Sequence, residues 1–575
     1  MKYFEDIYGN YDTVSPISSP ILQVKGVIWS SYTHHSKALV GALINKDTQK
    51  AAIELERLFQ LNGYSCLKDI DGAYVMGMRI LGTQYLYKSL LCKTSLYYRL
   101  ANHKLVWSTN PLKLLDASKP ILQQVDRDSV LLTCLGESVP PDKSHYKDIH
   151  RLPAGYLLSF KDGEINLIRI ESLTVNNSFK KSTLADYADQ TRQILQATLK
   201  KRIGSLDKNI GVILSGGIDS SAALYICQQA GLNVSAYHWS FPNIKSADES
   251  YYARLVTDHL NVPLQEIDAT SLIKSGSYLK PAWEFQAPYN HSFYRLFEMT
   301  RDLCLSNNTH NLTSGYLGDN LFGRRTSEFE DISFRSLLKT LSIREALRYT
   351  REKMGTLYFG VKPRTVPNIY CRMSRYENYL TEAAKKSIRY YTSSVESPKD
   401  TAEFFYRCSD NETEAVLESH LFERKEMNML YIFASREMME FSLALPLCYR
   451  MTPAGSQWID KPILRYAFID LLPKEIISRN HRQLLDAMDE EYVIQNPKQI
   501  AYLLGDNSFL SAFEIIDGQK LSEVLTNKHL ATRAASGLIC CCMTELWLKS
   551  ISKQFKLNSV NLETGGFRCL NYEKK

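Results

Sequence analysis

At 575 residues the chain exceeds one ordinary domain, and at roughly 100–200 residues per domain two or three are expected. Its 44% hydrophobic and 23% charged residues are those of a folded globular protein and exclude disordered, collagen-like and coiled-coil chains. Lys+Arg 69 against Asp+Glu 62 leaves a net charge of +7, too dilute and too scattered for a nucleic-acid surface, so no nucleic-acid partner is expected.

The segment up to about residue 167 reads as short strands separated by turns: 72–78, 95–100, 104–108 and 153–160. Asn102-His103 makes a hairpin of the second and third, and Lys161-Asp162-Gly163 closes the last. A polar, charged stretch at 171–183 marks a boundary, dividing the chain into domains of residues 1–167 and 168–575. From Leu184 the apolar period changes to three and four, an amphipathic helix capped by Thr183 or Ser182. Strands at 210–214, 234–239, 264–267 and 311–314 then alternate with a helix ending at Gly231 and helices at 251–260 and 293–305. This alternation predicts a doubly wound parallel sheet, whose ligands bind at the carboxyl ends of the strands. Beyond 330 the chain reads as mostly helical and Tyr-rich.

The twelve cysteines lie without a CxxC pair or a histidine at zinc spacing, which argues against such a metal site. Cys540-Cys541-Cys542, inside the apolar stretch 530–548, reads as core packing. No run of 18 apolar residues occurs, and Met1 to Asp6 has none of the regions of a signal peptide, so a cytoplasmic protein without a membrane partner is expected.

The sharpest signal is Ser215-Gly216-Gly217-Ile218-Asp219-Ser220-Ser221, between a predicted strand and helix. Two glycines admit an anion close to the backbone, three hydroxyls add donors, and a helix N-terminus favours negative charge. It is neither a Walker A loop nor a GxGxxG fingerprint. A lysine-free phosphate loop that also carries an acid suggests ATP cleaved to AMP and pyrophosphate, with Asp219 holding Mg²⁺. A second strand ends in Ser314-Gly315-Tyr316-Leu317-Gly318-Asp319, and the same sheet edge would let Asp319 share the metal. Read alone, Asp319 is a cap and the glycines are turn residues.

These segments resemble the asparagine synthetase superfamily, and the resemblance spans nearly the full length. Ser215–Ser221 matches its pyrophosphate loop and Ser314–Gly323 its second Mg²⁺ segment. The block Asp460-Lys461-Pro462-Ile463-Leu464-Arg465, with Arg479 beyond it, is similar to the catalytic-lysine segment. The resemblance implies a class II glutamine-amidotransferase-like (Ntn-type) β-rich domain followed by an ATP-pyrophosphatase (PP-loop) domain with added helices. It makes Lys461 an oxyanion stabiliser, whereas alone it reads as a solvated lysine before a helix start. It places adenine against Leu214 and Trp239, with Ser314 and Gly315 alongside. Ser246–Ser250 reads as a helix cap with first-turn acids.

Glutamine-hydrolysing members use a cysteine where this chain has Lys2, so a glutaminase fold without glutaminase chemistry is expected. The amine must then come with the substrate, as in the superfamily's β-lactam synthetases and lasso-peptide cyclases. Tyr316 stands where the former carry the tyrosine of a Tyr–Glu dyad, with Glu414, Glu418 or Glu426 as partner and Glu418 central among them; Tyr316 reads equally as a packed aromatic. The likeness to lasso cyclases implies macrolactam formation on a precursor peptide, with a leader peptidase and a leader-recognition protein as partners. The competing expectations are a small-molecule or ammonia-dependent ligase and an inactive nucleotide-binding paralogue.

Overall fold

The structure is a computed structural model that describes residues 2–3, 7–11, 20–175, 183–204, 206–279, 286–289, 293–323, 334–338, 342–344, 346–347, 350, 378–394, 412–446, 449–454, 457–479 and 486–563. The N-terminal part is built on two antiparallel sheets. One has the order β1 (Lys2–Tyr3), β3 (Ile21–Ser31), β4 (Ile70–Ile80), β5 (Thr83–Lys88), β9 (Tyr156–Lys161), β10 (Glu164–Arg169); the other is β2 (Tyr8–Tyr11), β7 (Lys104–Ser108), β6 (Tyr97–Ala101), β8 (His150–Arg151).

Period-two alternation assigns the faces of the first sheet. Met76 and Met78 of β4 point to one core, with Leu39, Leu43, Leu55 and Leu58 of the helices Lys37–Ile44 and Thr48–Asn62. Val75 joins Leu86, Trp107 and Phe160 in the other, between the sheets. Contact there is close enough that a Cβ at Gly77 would lie 2.0 Å from the Trp107 ring.

The predicted hairpin forms, β6 pairing β7 with Asn102 and His103 both at positive φ (50° and 59°), the conformation a two-residue turn of matching twist requires. The strands-and-turns reading omitted the two helices at 37–62. Ala51, Ala52, Leu55, Leu58 and Phe59 carry the helical period there, a spacing of three and four that strand alternation does not share.

The second part holds a five-stranded sheet in the order β13 (Leu264–Asp268), β12 (Asn233–Ser240), β11 (Asn209–Ile213), β14 (Asn311–Ser314), β15 (Asn428–Met429), with all neighbours parallel. The helix Leu184–Ile203 opens it, and Thr183 with Asp186 forms a capping box. Strand β11 ends at Ile213, so Leu214 already belongs to the turn, and β15 arrives from more than a hundred residues downstream of β14.

The helix Lys528–Glu563 carries Cys541 and Cys542, both 0% exposed. By length and composition its span Lys528–Lys553 is long and apolar enough to cross a membrane, yet 78% of its most apolar 18-residue window is buried inside the protein. Trp547 meets His145 and Tyr146 edge-on, joining this helix to the N-terminal part. The predicted boundary stretch begins on an anchor: the Glu171 carboxylate accepts from Tyr87 and from the Leu90 amide (3.0 Å) and pairs with Arg436. Residues 176–182 of that stretch, including Ser182, lie outside the described residues.

Candidate active site

Parallel register sets Ile213 of β11 beside Ser314 of β14, so the turns that follow them emerge at one edge of the sheet. The first turn is held by its own hydroxyls. Ser220 Oγ accepts from the Ser215 amide at 3.2 Å and lies 3.1 Å from Ser215 Oγ, which in turn accepts from the Gly217 amide at 3.3 Å. Gly216 takes φ +73°, and a Cβ there would lie 2.6 Å from Tyr252 Cβ and 2.9 Å from the Ala253 nitrogen. Only glycine fits both conditions. The helix Ile218–Gln229 follows with Gly217 as its N-cap and no side chain capping it.

The second turn packs against the first. A Cβ on Gly315 would fall 2.7 Å from the Ser220 nitrogen, and one on Gly318 would fall 2.5 Å from Asp219 Cγ. Both glycines are therefore required by close approach of the two loops. Leu317, between them, is in the left-handed region at φ +68° and caps the short helix Gly318–Phe322, whose first turn carries Asp319.

Lys461 joins the two loops. Its Nζ pairs with Asp219 and lies 2.5 Å from Asp319 Oδ1, while its side chain is 0% exposed. The solvated-surface alternative for this residue does not hold. Like Leu317 it is a non-glycine residue at positive φ (52°), fixed by its amide to the Arg450 carbonyl (2.8 Å) and by its carbonyl to the Arg465 amide (3.0 Å). Such strain, of order 1–3 kcal/mol each, persists where surrounding structure imposes it, and it clusters at working sites.

Two carboxylates converging on one ammonium form an oxygen-donor pair that fits a hard divalent cation. Among the described residues no group of three His, Cys, Asp or Glu side chains is placed to hold a metal.

The residues expected around adenine are placed differently from one another. Leu214 is 1% exposed. Its amide bonds the Tyr237 carbonyl (2.8 Å) and its own carbonyl accepts from His238 Nδ1 (2.7 Å), so its main chain is already committed. Trp239 donates Nε1 to Thr300 Oγ1 (2.9 Å) and packs on Phe293 and Phe297. Ser314 Oγ accepts from the Tyr316 amide (3.2 Å), stabilising the second turn. Burial lowers the His238 pKa, which favours the neutral ring between Leu214 and Ser250.

The segment Ser246–Ser250 is more than a cap. Asp248 Oδ1 accepts from Ser250 Oγ (2.6 Å) and from the Phe241 amide (3.1 Å). Glu249 occupies the N-cap position of the helix Ser250–Leu260 without a side-chain cap bond and pairs instead with Arg479. Arg479 also donates to the Gly216 carbonyl (3.3 Å) and stacks over Tyr252, 3.8 Å from its centroid. A guanidinium thus braces the phosphate loop from outside, which no local pattern around Glu249 announces.

Tyr316 packs against Tyr431 with ring centroids 5.0 Å apart. Of its three candidate partners, Glu426 is exposed at φ +57°, and the side chain of Glu414 lies outside the described residues. Glu418 lines a cavity of about 230 Å³ together with Lys93, Leu317, Glu423 and Tyr431. It opens a π-helical turn, Glu418–Phe422, that follows the helix Glu412–Leu417; such widened turns recur at functional sites. Glu423, only 9% exposed, was not singled out from sequence.

A family model described as asparagine synthase matches residues 190–549, well over half of the chain and all within the second part. The chain belongs to the asparagine synthase family. As a member it is an ATP-dependent, amide-forming ligase, and the loops at 215–221 and 314–323, with Lys461, lie within the matched region. No curated protein matches the chain. Among solved structures, glutamine phosphoribosylpyrophosphate amidotransferase from B. subtilis, complexed with ADP and GMP, is similar over 48% of this chain and 76% of that one. Its identity is 9% and its TM-score 0.19, too low to carry an argument.

Proposed function

We propose that this asparagine synthase family member joins an Asp or Glu side chain of a precursor peptide to an amine of the same peptide, forming a macrolactam and releasing AMP and pyrophosphate. The observation that carries the reading is the convergence of Asp219, Asp319 and the buried Lys461 where a phosphate loop free of lysine meets a second glycine turn. The substrate carboxylate attacks the α-phosphorus of ATP. An acyl–oxygen–phosphorus bond forms and the bond to the β-phosphate breaks, pyrophosphate leaving on the amides and hydroxyls of Ser215–Ser221. Asp219 and Asp319 would hold Mg²⁺, which supplies charge neutralisation on the phosphates when bound.

The amine then attacks the acyl carbon and the carbon–oxygen bond to AMP breaks. Lys461 offsets charge on the oxygen of the tetrahedral intermediate, and Tyr316, with Glu418, takes the proton lost by the nitrogen. The N-terminal part, with its two antiparallel sheets, is read as an amidotransferase-like (Ntn-type) fold that does no glutaminase chemistry. Two of its thiols are consistent with this: burial pushes Cys66 and Cys92 up to about 12, away from a reactive thiolate. A leader peptidase and a leader-recognition protein complete the proposed set of partners.

The test supplies ATP, Mg²⁺ and synthetic peptides that carry a free α-amine and one Asp or Glu. AMP formed in step with loss of one water from a peptide supports the reading. ADP as the product would falsify it, and amide formed only from L-aspartate and ammonium would favour the small-molecule ligase instead. Glutamate release from glutamine should stay at background.

A further inference from the structure

Lys93 belongs to the N-terminal part, in the segment between β5 and β6, yet its Nζ lies 3.7 Å from the Tyr316 ring centroid and 3.7 Å from that of Tyr431. The two tyrosines follow β14 and β15, neighbouring parallel strands, so they stand at the same sheet edge as the phosphate loop. Lys93 is 7% exposed. A lysine buried to that degree loses hydration that an apolar side chain would not, and two aromatic faces offset part of the loss. Packing alone would be served at lower cost by leucine or methionine, so the cation itself has a use here.

Both sides of the contact are rigidly mounted. On the N-terminal side, the Ser89 amide bonds the Tyr74 carbonyl (3.0 Å), Ser89 Oγ bonds the Gly72 carbonyl (3.1 Å) and the Cys92 amide bonds the Ser89 carbonyl (3.1 Å). Facing it, the Leu430 amide bonds the Leu312 carbonyl (2.7 Å), and the carbonyls of Leu430 and Tyr431 accept from Thr313 and Arg202. The Tyr316 ring therefore has one fixed wall in Tyr431 and a charged clamp in Lys93.

We propose that Lys93 is a positioning residue for amide formation: its ammonium, held between Tyr316 and Tyr431, sets the Tyr316 ring in the second catalytic turn, so that the N-terminal part acts on the ligase site without glutaminase chemistry. The role in amide formation rests on the reading given above; the clamp on the ring does not.

Two measurements separate these. Substrate-free protein carrying 3-fluorotyrosine at position 316 reports the ring by its ¹⁹F spectrum. Lys93→Met should shift and broaden the resonance and Lys93→Arg, which keeps the cation, should restore it. Lys93→Gln serves as the neutral variant if Lys93→Met does not fold. With MgATP and the peptides described above, Lys93→Met should lose about tenfold in amide formation while pyrophosphate exchange into ATP stays within about twofold, and Lys93→Arg should recover the loss. An unchanged ¹⁹F spectrum in the neutral variant overturns the clamp, as does an equal change in Lys93→Arg, which would mean that shape and not charge matters. Equal loss of exchange and amide formation overturns the positioning role. If wild-type protein forms no AMP with any peptide, the macrolactam reading fails while the ¹⁹F result still decides the clamp.

Discussion

A lysine with no exposed surface is expensive unless carboxylates or backbone acceptors surround it, and Lys461 meets that requirement with the two acids of the phosphate loops. The arrangement makes the three residues interdependent. Removing either Asp219 or Asp319 takes from Lys461 one of its two partners and, on the proposed function, a ligand of Mg²⁺. Asp219→Ala and Asp319→Ala should each lose at least about 10²-fold in AMP formation, and near-wild-type rates in one of them would remove that residue from the site. Lys461→Ala should fall about 10²–10³-fold in amide formation, the usual effect of losing one oxyanion donor. Tyr316→Phe keeps the ring and its contact with Lys93, so pyrophosphate exchange should continue while amide formation drops by about 10²–10⁴-fold, the range for general acid–base groups. Wild-type amide formation in Tyr316→Phe would leave the hydroxyl without a chemical role.

At the scale of elements, the site depends on two loops that interlock through glycines. The phosphate loop can turn back on itself because Gly216 accepts a positive φ with the helix Ser250–Leu260 against it, and Arg479, stacked on Tyr252 of that helix, bonds its carbonyl. Gly216→Ala forces a strained backbone and a 2.6 Å contact with Tyr252 at once. We expect about 1–3 kcal/mol of local destabilisation and a large loss of MgATP affinity by calorimetry, with the β-rich N-terminal part unaffected in its circular dichroism. Retention of full nucleotide affinity would show that the loop does not hold the phosphates. The loop itself is legible in the sequence, because a Gly-Gly turn flanked by hydroxyls, between an apolar run and a helix, sets unpaired amides around a space suited to an anion. The alternation of strands and helices also puts both loops at one sheet edge, but the close approach of Gly315 and Gly318 to Asp219 is not legible, since local sequence carries no record of how tightly two loops pack.

Over the whole molecule, a buried network ties the two parts together. Glu412, from the second part, is contacted by two residues of the first and feels the charge of a third: Tyr97 donates to Oε1 at 2.6 Å, His145 Nδ1 lies 2.9 Å from Oε2, and Arg151 adds its charge. Burial raises the carboxyl pKa, but Arg151, His145 and these hydrogen bonds outweigh it and hold the group at about 2. The folded-state value lies below the ordinary carboxylate value of 4.5, so the network's contribution is complete above that pH and is lost as pH falls toward 2. Glu412→Gln removes the buried charge that faces Arg151 and should cost roughly 3–5 kcal/mol. It should also flatten the acid limb of a thermal-melting profile measured between pH 5 and 2; a profile as steep as the wild type's would assign acid sensitivity to other groups.

The local features of this protein were decided by its sequence: the phosphate loop, the capping box at Thr183 and Asp186, the Asn102-His103 hairpin and the alternation of strands and helices. Each rests on contacts within a few residues, so the chain's own period and turn chemistry specify it. What the tertiary structure alone decided is which distant segments meet. It buried Lys461 between carboxylates contributed by two other loops, sent Arg479 to Glu249, drew β15 beside β14 and set Lys93 of the N-terminal part between two tyrosines of the ligase site. These pairings join residues more than a hundred positions apart, and they arise from burial and charge neutralisation once the sheet has assembled, so no local pattern could encode them.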